Sequence, residues 1–155
     1  MTTYRPGRIG ETREPVGRGR CLCGAVRYAV LGPLRPVIYC HCEMCRRTSG
    51  HFVAATACAR EHLTLLSDET LCWYPSSPTA RRGFCRICGS NLFWEPIGDR
   101  SVSIMAGSLE TPTGLSAQEH IFTVEAGDYY RIADGLRQHV GWPLAAAPPT
   151  TGTPP

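Results

Sequence analysis

With 155 residues and a net charge of +3, the chain has the length of one domain, and no stretch approaches the ~20 apolar residues of a membrane helix. The charge excess sits in the first twenty residues, where five arginines face two glutamates; from Cys21 onward eleven arginines meet eleven carboxylates. A body without net charge lacks the basic footprint of a nucleic-acid-binding domain, so neither nucleic acid nor a membrane is expected as a partner.

Residues 1–18 mix Arg, Gly and Pro, and 143–155 are Pro, Thr, Ala and Gly without periodicity; both are expected to be disordered tails around a single domain over 19–142. Within that domain short β-rich runs alternate with turn signals. Strands are expected over 25–30, 37–39, 52–58, 63–66, 70–74, 82–84, 91–95, 101–105, 121–124 and 129–132, with one helical turn over 46–50 stopped by Gly50. The run 101–105, Ser-Val-Ser-Ile-Met, alternates with the period of a half-buried strand. No long 3.6-residue stripe persists, so the fold is mainly β with few short helices.

Seven of the nine cysteines lie in three clusters: Cys21-Leu-Cys23-Gly24, Cys40-His-Cys42-Glu-Met-Cys45 and Cys85-Arg-Ile-Cys88-Gly89. Each close pair can bring two sulfurs to one point, about 3.7 Å apart across a tetrahedral ion with ~2.3 Å bonds. Two doublets, Cys21/Cys23 and Cys85/Cys88, complete a four-sulfur site. Cys40, Cys42 and Cys45 form a second site one ligand short, the layout of a centre that binds something else. Gly24 and Gly89 would supply permissive backbone behind each knuckle, and knuckle N–H groups, with Arg20 or Arg86, would offset the thiolate charge. Cys58 and Cys72 stand singly in apolar runs and read as small buried hydrophobes. His41 either points away from its neighbours' metal or is itself a ligand; His51, His62, His120 and His139 have no recruiting spacing.

A disulfide framework is disfavoured. The cysteine count is odd, close Cys-x-Cys pairs suit a bridge poorly, and the first residues lack the apolar core of a signal peptide, so a cytoplasmic location is expected. Cys85-x-x-Cys88 lacks the βα surroundings of a thioredoxin-like motif. Zinc, two ions per chain, is the expected metal, with an iron–sulfur cluster the main rival.

The ordered set Gly19-x-Cys21-x-Cys23-Gly24, Cys40-His-Cys42-x-x-Cys45 and Phe84-Cys85-x-x-Cys88-Gly89-Ser90-x-Leu92, followed by Gly107-Ser-Leu109, His120-Ile-Phe and Asp134-Gly-Leu136, resembles the glutathione-dependent formaldehyde-activating family, which includes S-(hydroxymethyl)glutathione synthase and centromere protein V. The resemblance implies a β-tent of antiparallel sheets with two zinc ions. It also implies a structural role for Cys21, Cys23, Cys85 and Cys88, and a catalytic one for Cys40, Cys42 and Cys45. The implied activity is that of a carbon–sulfur lyase acting on the aldehyde adduct of glutathione or another small thiol. Zinc with three thiolates is net negative and a weak Lewis acid, better suited to a fourth sulfur than to making hydroxide. Arg46, Arg47, Arg81 and Arg82 are the candidates to hold glutathione's carboxylates. A non-catalytic zinc-binding interaction module of the same fold, or metal transfer through the open site, are the alternatives. Oligomeric state is not legible in the sequence.

Overall fold

The computed structural model describes residues 14–143; both expected tails lie outside these except at their inner edges. The strands are β1 (Gly17–Arg20), β2 (Arg27–Val30), β3 (Val37–Cys40), β4 (Val53–Ala59), β5 (Leu63–Ser67), β6 (Leu71–Ser77), β7 (Ala80–Cys85), β8 (Asn91–Pro96), β9 (Ser101–Met105), β10 (Ala117–Ile121) and β11 (Arg137–Gln138). The α-helix among the described residues, α1 (Glu43–Ser49), ends at Gly50 in the left-handed conformation. β1 opens at Gly17, two residues before the expected domain start, because Gly17 and Arg18 pair with Val30 and Ala29.

A three-stranded sheet, ordered β1-β2-β5, lies beside an eight-stranded one, ordered β11-β10-β3-β4-β9-β8-β7-β6. Pairing is antiparallel except at β10, which runs parallel to both β3 and β11. That exception positions the site. It sets His120 beside Tyr39 and Ile121 beside Cys40, at the end of β3 where the cysteine triplet begins.

The larger core is built from Val26, Tyr28, Val30, Leu63, Leu92, Phe93, Val102, Ile104 and Leu109, together with Cys21, Cys58 and Cys85. β9 alternates as its sequence predicts, with Val102 and Ile104 fully buried between half-buried serines. Tyr28 meets Phe93 edge-on at 5.1 Å between centroids, and full burial of Phe93 is worth about 2–3 kcal/mol. A Cβ on Gly19 would fall 2.2 Å from the Tyr28 ring, so only glycine allows this contact. A smaller cluster, Cys45, Val53, Ala55 and Met105, packs with Cys40, Cys42 and Trp94 around the triplet.

Two expected strands take other forms. The run 121–124 ends its strand at Ile121: Phe122 adopts φ 57°, and Thr123–Glu125 forms a 3-10 turn. A bulky residue at positive φ is sterically costly; here it swings the Phe122 ring edge-on to Trp142, 5.4 Å away. The run 129–132 forms no strand. Tyr129 and Tyr130 instead pack around His51, and Tyr130 also meets His41 and Phe52, so side-chain contacts replace the ladder its composition suggested.

Candidate metal centres and the cavity beside the triplet

The two doublets meet although 62 residues separate Cys23 from Cys85, whose sulfurs are 3.8 Å apart. Cys21 Sγ lies 3.5 Å from Cys23 Sγ, and all four sulfurs fall within 4.8 Å of one another. These separations fit one tetrahedral ion with ~2.3 Å bonds. Gly24 and Gly89 take φ 78° and 73°, the left-handed turns that a knuckle demands and glycine adopts without strain. Their N–H groups donate to the carbonyls of Cys21 and Cys85. The sulfurs gather further donors: the Val26 N–H reaches Cys21 Sγ at 3.2 Å, Ser90 Oγ lies 3.2 Å from Cys88 Sγ, and Thr70 Oγ1 lies 3.5 Å from Cys85 Sγ. Ser90 brings the Cys88 thiol down to about 5, and Thr70 lowers that of Cys85. A backbone N–H reaches the sulfurs as expected, and hydroxyls join it; Arg20 reaches the Leu22 carbonyl.

The triplet forms where β3 turns into α1. Cys40 closes the strand, Cys42 caps the helix and accepts from the Cys45 N–H at 3.4 Å, and Cys45 sits in the first turn. The three sulfurs lie within 4.8 Å of one another, and no His, Cys, Asp or Glu among the described residues joins them. Hydrogen bonds from Cys40 and Cys45 drive the Cys42 thiol far down, while sharing with Cys42 pushes Cys40 up. Cys58 and Cys72 stay outside both clusters: Cys58 is buried opposite Val102, its thiol raised to about 11 by burial, and Cys72 pairs across from Phe84.

His41 points away from the sulfurs and is fully buried. Its Nε2 is 2.8 Å from His120 Nδ1, whose ring in turn reaches Asp134 Oδ2 at 2.9 Å; its Nδ1 meets the Tyr130 hydroxyl. With His120 neutral, a continuous donor chain satisfies every member. Tyr130 O–H donates to His41, His41 Nε2–H to His120, and His120 Nε2–H to the Asp134 carboxylate. His41 is then neutral, and desolvation, reinforced by His120, lowers it to about 4. The His41 N–H also donates to the Ile121 carbonyl at 3.0 Å, so backbone and ring together fix the residue between Cys40 and Cys42. His120, Tyr130 and Asp134 were not legible as neighbours of the triplet; the parallel β3–β10 pairing brings His120 there, and the segment after β10 brings Tyr130 and Asp134.

A cavity of about 230 Å³ opens beside Cys40, Cys42 and Cys45. Trp94, Met105, Ile121, Phe122 and Trp142 supply much of its wall. Of the four arginines singled out in the sequence, Arg82 lines it. Arg82 is 4% exposed, and its Nη2 is 3.8 Å from Cys45 Sγ. Arg81 lies outside, bound to Glu95 at 2.6 Å and stacked over Trp73. Arg47 pairs with Glu43 on the exposed face of α1, and Arg46 is also outside the cavity wall. A broader, open groove of about 810 Å³ runs past Cys21, Ser90, Gly107 and Ser108; Met105 borders both.

No helix among the described residues is long and apolar enough to cross a membrane. The model of the glutathione-dependent formaldehyde-activating enzyme family matches residues 16–125. An uncharacterized lyase of Schizosaccharomyces pombe is 31% identical over 80 residues, which are 52% of this chain and 58% of that protein. The chain thus matches little more than half the length of that relative. A crystal structure of a Rhodobacter sphaeroides protein superposes with a TM-score of 0.51 at 28% identity, covering 61% of this chain and 88% of the other. The match over residues 16–125, knuckles and triplet included, places this chain in the glutathione-dependent formaldehyde-activating enzyme family.

Proposed function

We propose that the protein is a zinc-dependent carbon–sulfur lyase that makes and breaks the adduct between an aldehyde and glutathione or a similar small thiol. The observation that carries this is the inequality of the two centres: four sulfurs close one site, whereas three sulfurs at a cavity wall leave the other open. Cys21, Cys23, Cys85 and Cys88 hold a structural zinc that ties the first hairpin to the seventh strand. Cys40, Cys42 and Cys45 hold the second ion. Bound by these three thiolates, zinc would favour a soft fourth sulfur in its ionised form.

The chain's own residues do the rest. The Cys45 N–H and the helix cap fix Cys42. The Tyr130–His41–His120–Asp134 chain holds the segment joining Cys40 to Cys42 from behind. The apolar wall limits water around the reacting carbon, which favours an addition that water would otherwise contest by hydrating the aldehyde.

The test is exchange NMR on formaldehyde and glutathione at equilibrium. The zinc-loaded protein should speed interconversion with S-(hydroxymethyl)glutathione, and Cys42→Ser should remove that acceleration. Interconversion at the uncatalysed rate with both ions bound would overturn the reading in favour of a non-catalytic zinc module.

A further inference from the structure

Arg82 is a buried cation without a carboxylate. Among the described residues no Asp or Glu pairs with it, because Glu95, the acid on the neighbouring strand, is taken by Arg60 and Arg81. Its Nε is buried with no hydrogen-bond partner, and its recorded contact is the long one to Cys45 Sγ. A guanidinium carries five N–H donors, and a buried one left unmet, as Nε is here, is costly. β7 holds it in place: Arg82 stands opposite Tyr74 on one side and Trp94 on the other.

The cavity it lines has a size and character of its own. Its 230 Å³ equals about seven waters at roughly 30 Å³ each, several times the space formaldehyde occupies. Trp94, Met105, Ile121 and Phe122 make much of its wall apolar, and Arg35, Ser77, Thr79 and Ser103 also border it. An ion and an incoming sulfur leave room for a short hydrocarbon group, and apolar walls reward filling that room.

We propose that this cavity takes aldehydes with an apolar substituent of several carbons, as their thiol adducts, and that Arg82 donates to the oxygen derived from the carbonyl. The inference rests on the carbon–sulfur lyase reading and names the substrate class of that same site. In the forward direction the thiol loses its proton to solvent and its sulfur lone pair forms the new C–S bond. The carbonyl π pair moves onto oxygen, where the Arg82 N–H groups meet the developing charge. That oxygen then takes a proton from water and ends as a hydroxyl, so nothing is oxidised or reduced. Adduct cleavage is the reverse.

The experiment uses the full-length zinc-loaded protein and a series of simple carboxylates, formate to butyrate, as stable oxyanions with growing apolar tails. Binding is followed through tryptophan fluorescence, since Trp94 and Trp142 line the cavity, with zinc content and thermal unfolding recorded for every sample. Butyrate should bind roughly tenfold or more tighter than formate, Arg82→Met should lose most of that affinity, and Arg82→Lys should keep part of it. The chain-length series on the unmodified protein stands even where Arg82→Met folds poorly. On the same protein, kcat/KM for the glutathione adduct of butanal should exceed that for the formaldehyde adduct.

Affinity independent of tail length, binding undiminished in a folded Arg82→Met protein, or a preference for the formaldehyde adduct would each overturn the proposal. If glutathione binds and is turned over while butyrate binds no better than formate, the substrate class falls and the lyase reading stands. If butyrate binds through Arg82 while no thiol adduct is turned over, the lyase reading falls, and with it the assignment of an aldehyde.

Discussion

Removing one sulfur from each centre should have unequal consequences for the fold. A metal joining Cys23 to Cys85 closes a loop of 62 residues. Treated as a cross-link, that closure is worth about 4 kcal/mol, whereas a loop the size of the triplet's gives about 2 kcal/mol by the same relation. The triplet figure is an upper bound for its centre, because Cys42 and Cys45 are already ordered by α1. Cys85 is also fully buried, so a serine there leaves a hydroxyl in the core in place of a ligand. Cys85→Ser should therefore lower stability by about 4 kcal/mol, or ~10–20 °C in Tm for a domain of this size, and Cys42→Ser by at most half of that. Thermal unfolding of both purified variants, with metal content measured beforehand, decides the matter. Equal losses of Tm with the other centre still loaded would show that the triplet also holds the fold together, and the division of roles would fail.

Graded chelation should release the triplet's ion well before the other, since three ligands leave a path for attack that four close; metal analysis at each chelator concentration reads the order, and simultaneous release contradicts it. Acid should expose the buried imidazole. His41 is held near 4 against about 6.5 in the unfolded chain. The unfolded state thus binds a proton first, and stability falls as pH drops from about 6.5 to 4, by about 3 kcal/mol at most. Denaturant unfolding of the protein and of His41→Asn should differ in slope over that window, and parallel curves would contradict a neutral His41. Any polyanion binding should be weak, salt-sensitive and abolished by deleting residues 1–13, which lie ahead of β1; affinity retained in that truncation would mean the body carries a basic face.

What the sequence made legible was local chemistry. Cysteine spacing fixes which sulfurs can share an ion, and both clusters form as that spacing implies. Gly24 and Gly89 take the left-handed turns expected of them, and the alternation over 101–105 reads directly as β9. Long-range arrangement was not legible. Nothing near His41 announces His120, which arrives through a parallel pairing that no local signal encodes, or Tyr130 and Asp134, which arrive on the segment that follows. Tyr-Tyr-Arg-Ile over 129–132 carries strand propensity, yet its aromatic rings are used in packing around His51 and His41. Four arginines looked alike in the sequence; burial and the acids around them separate Arg82 from the rest.

The most direct measurement replaces the triplet's zinc with cobalt, whose sulfur-to-metal absorption bands report each thiolate bound. Glutathione should change those bands saturably, S-methylglutathione should do far less because its sulfur cannot ionise, and Cys42→Ser should abolish the response. A spectrum indifferent to glutathione would contradict sulfur binding at the open centre and remove the basis for a carbon–sulfur lyase.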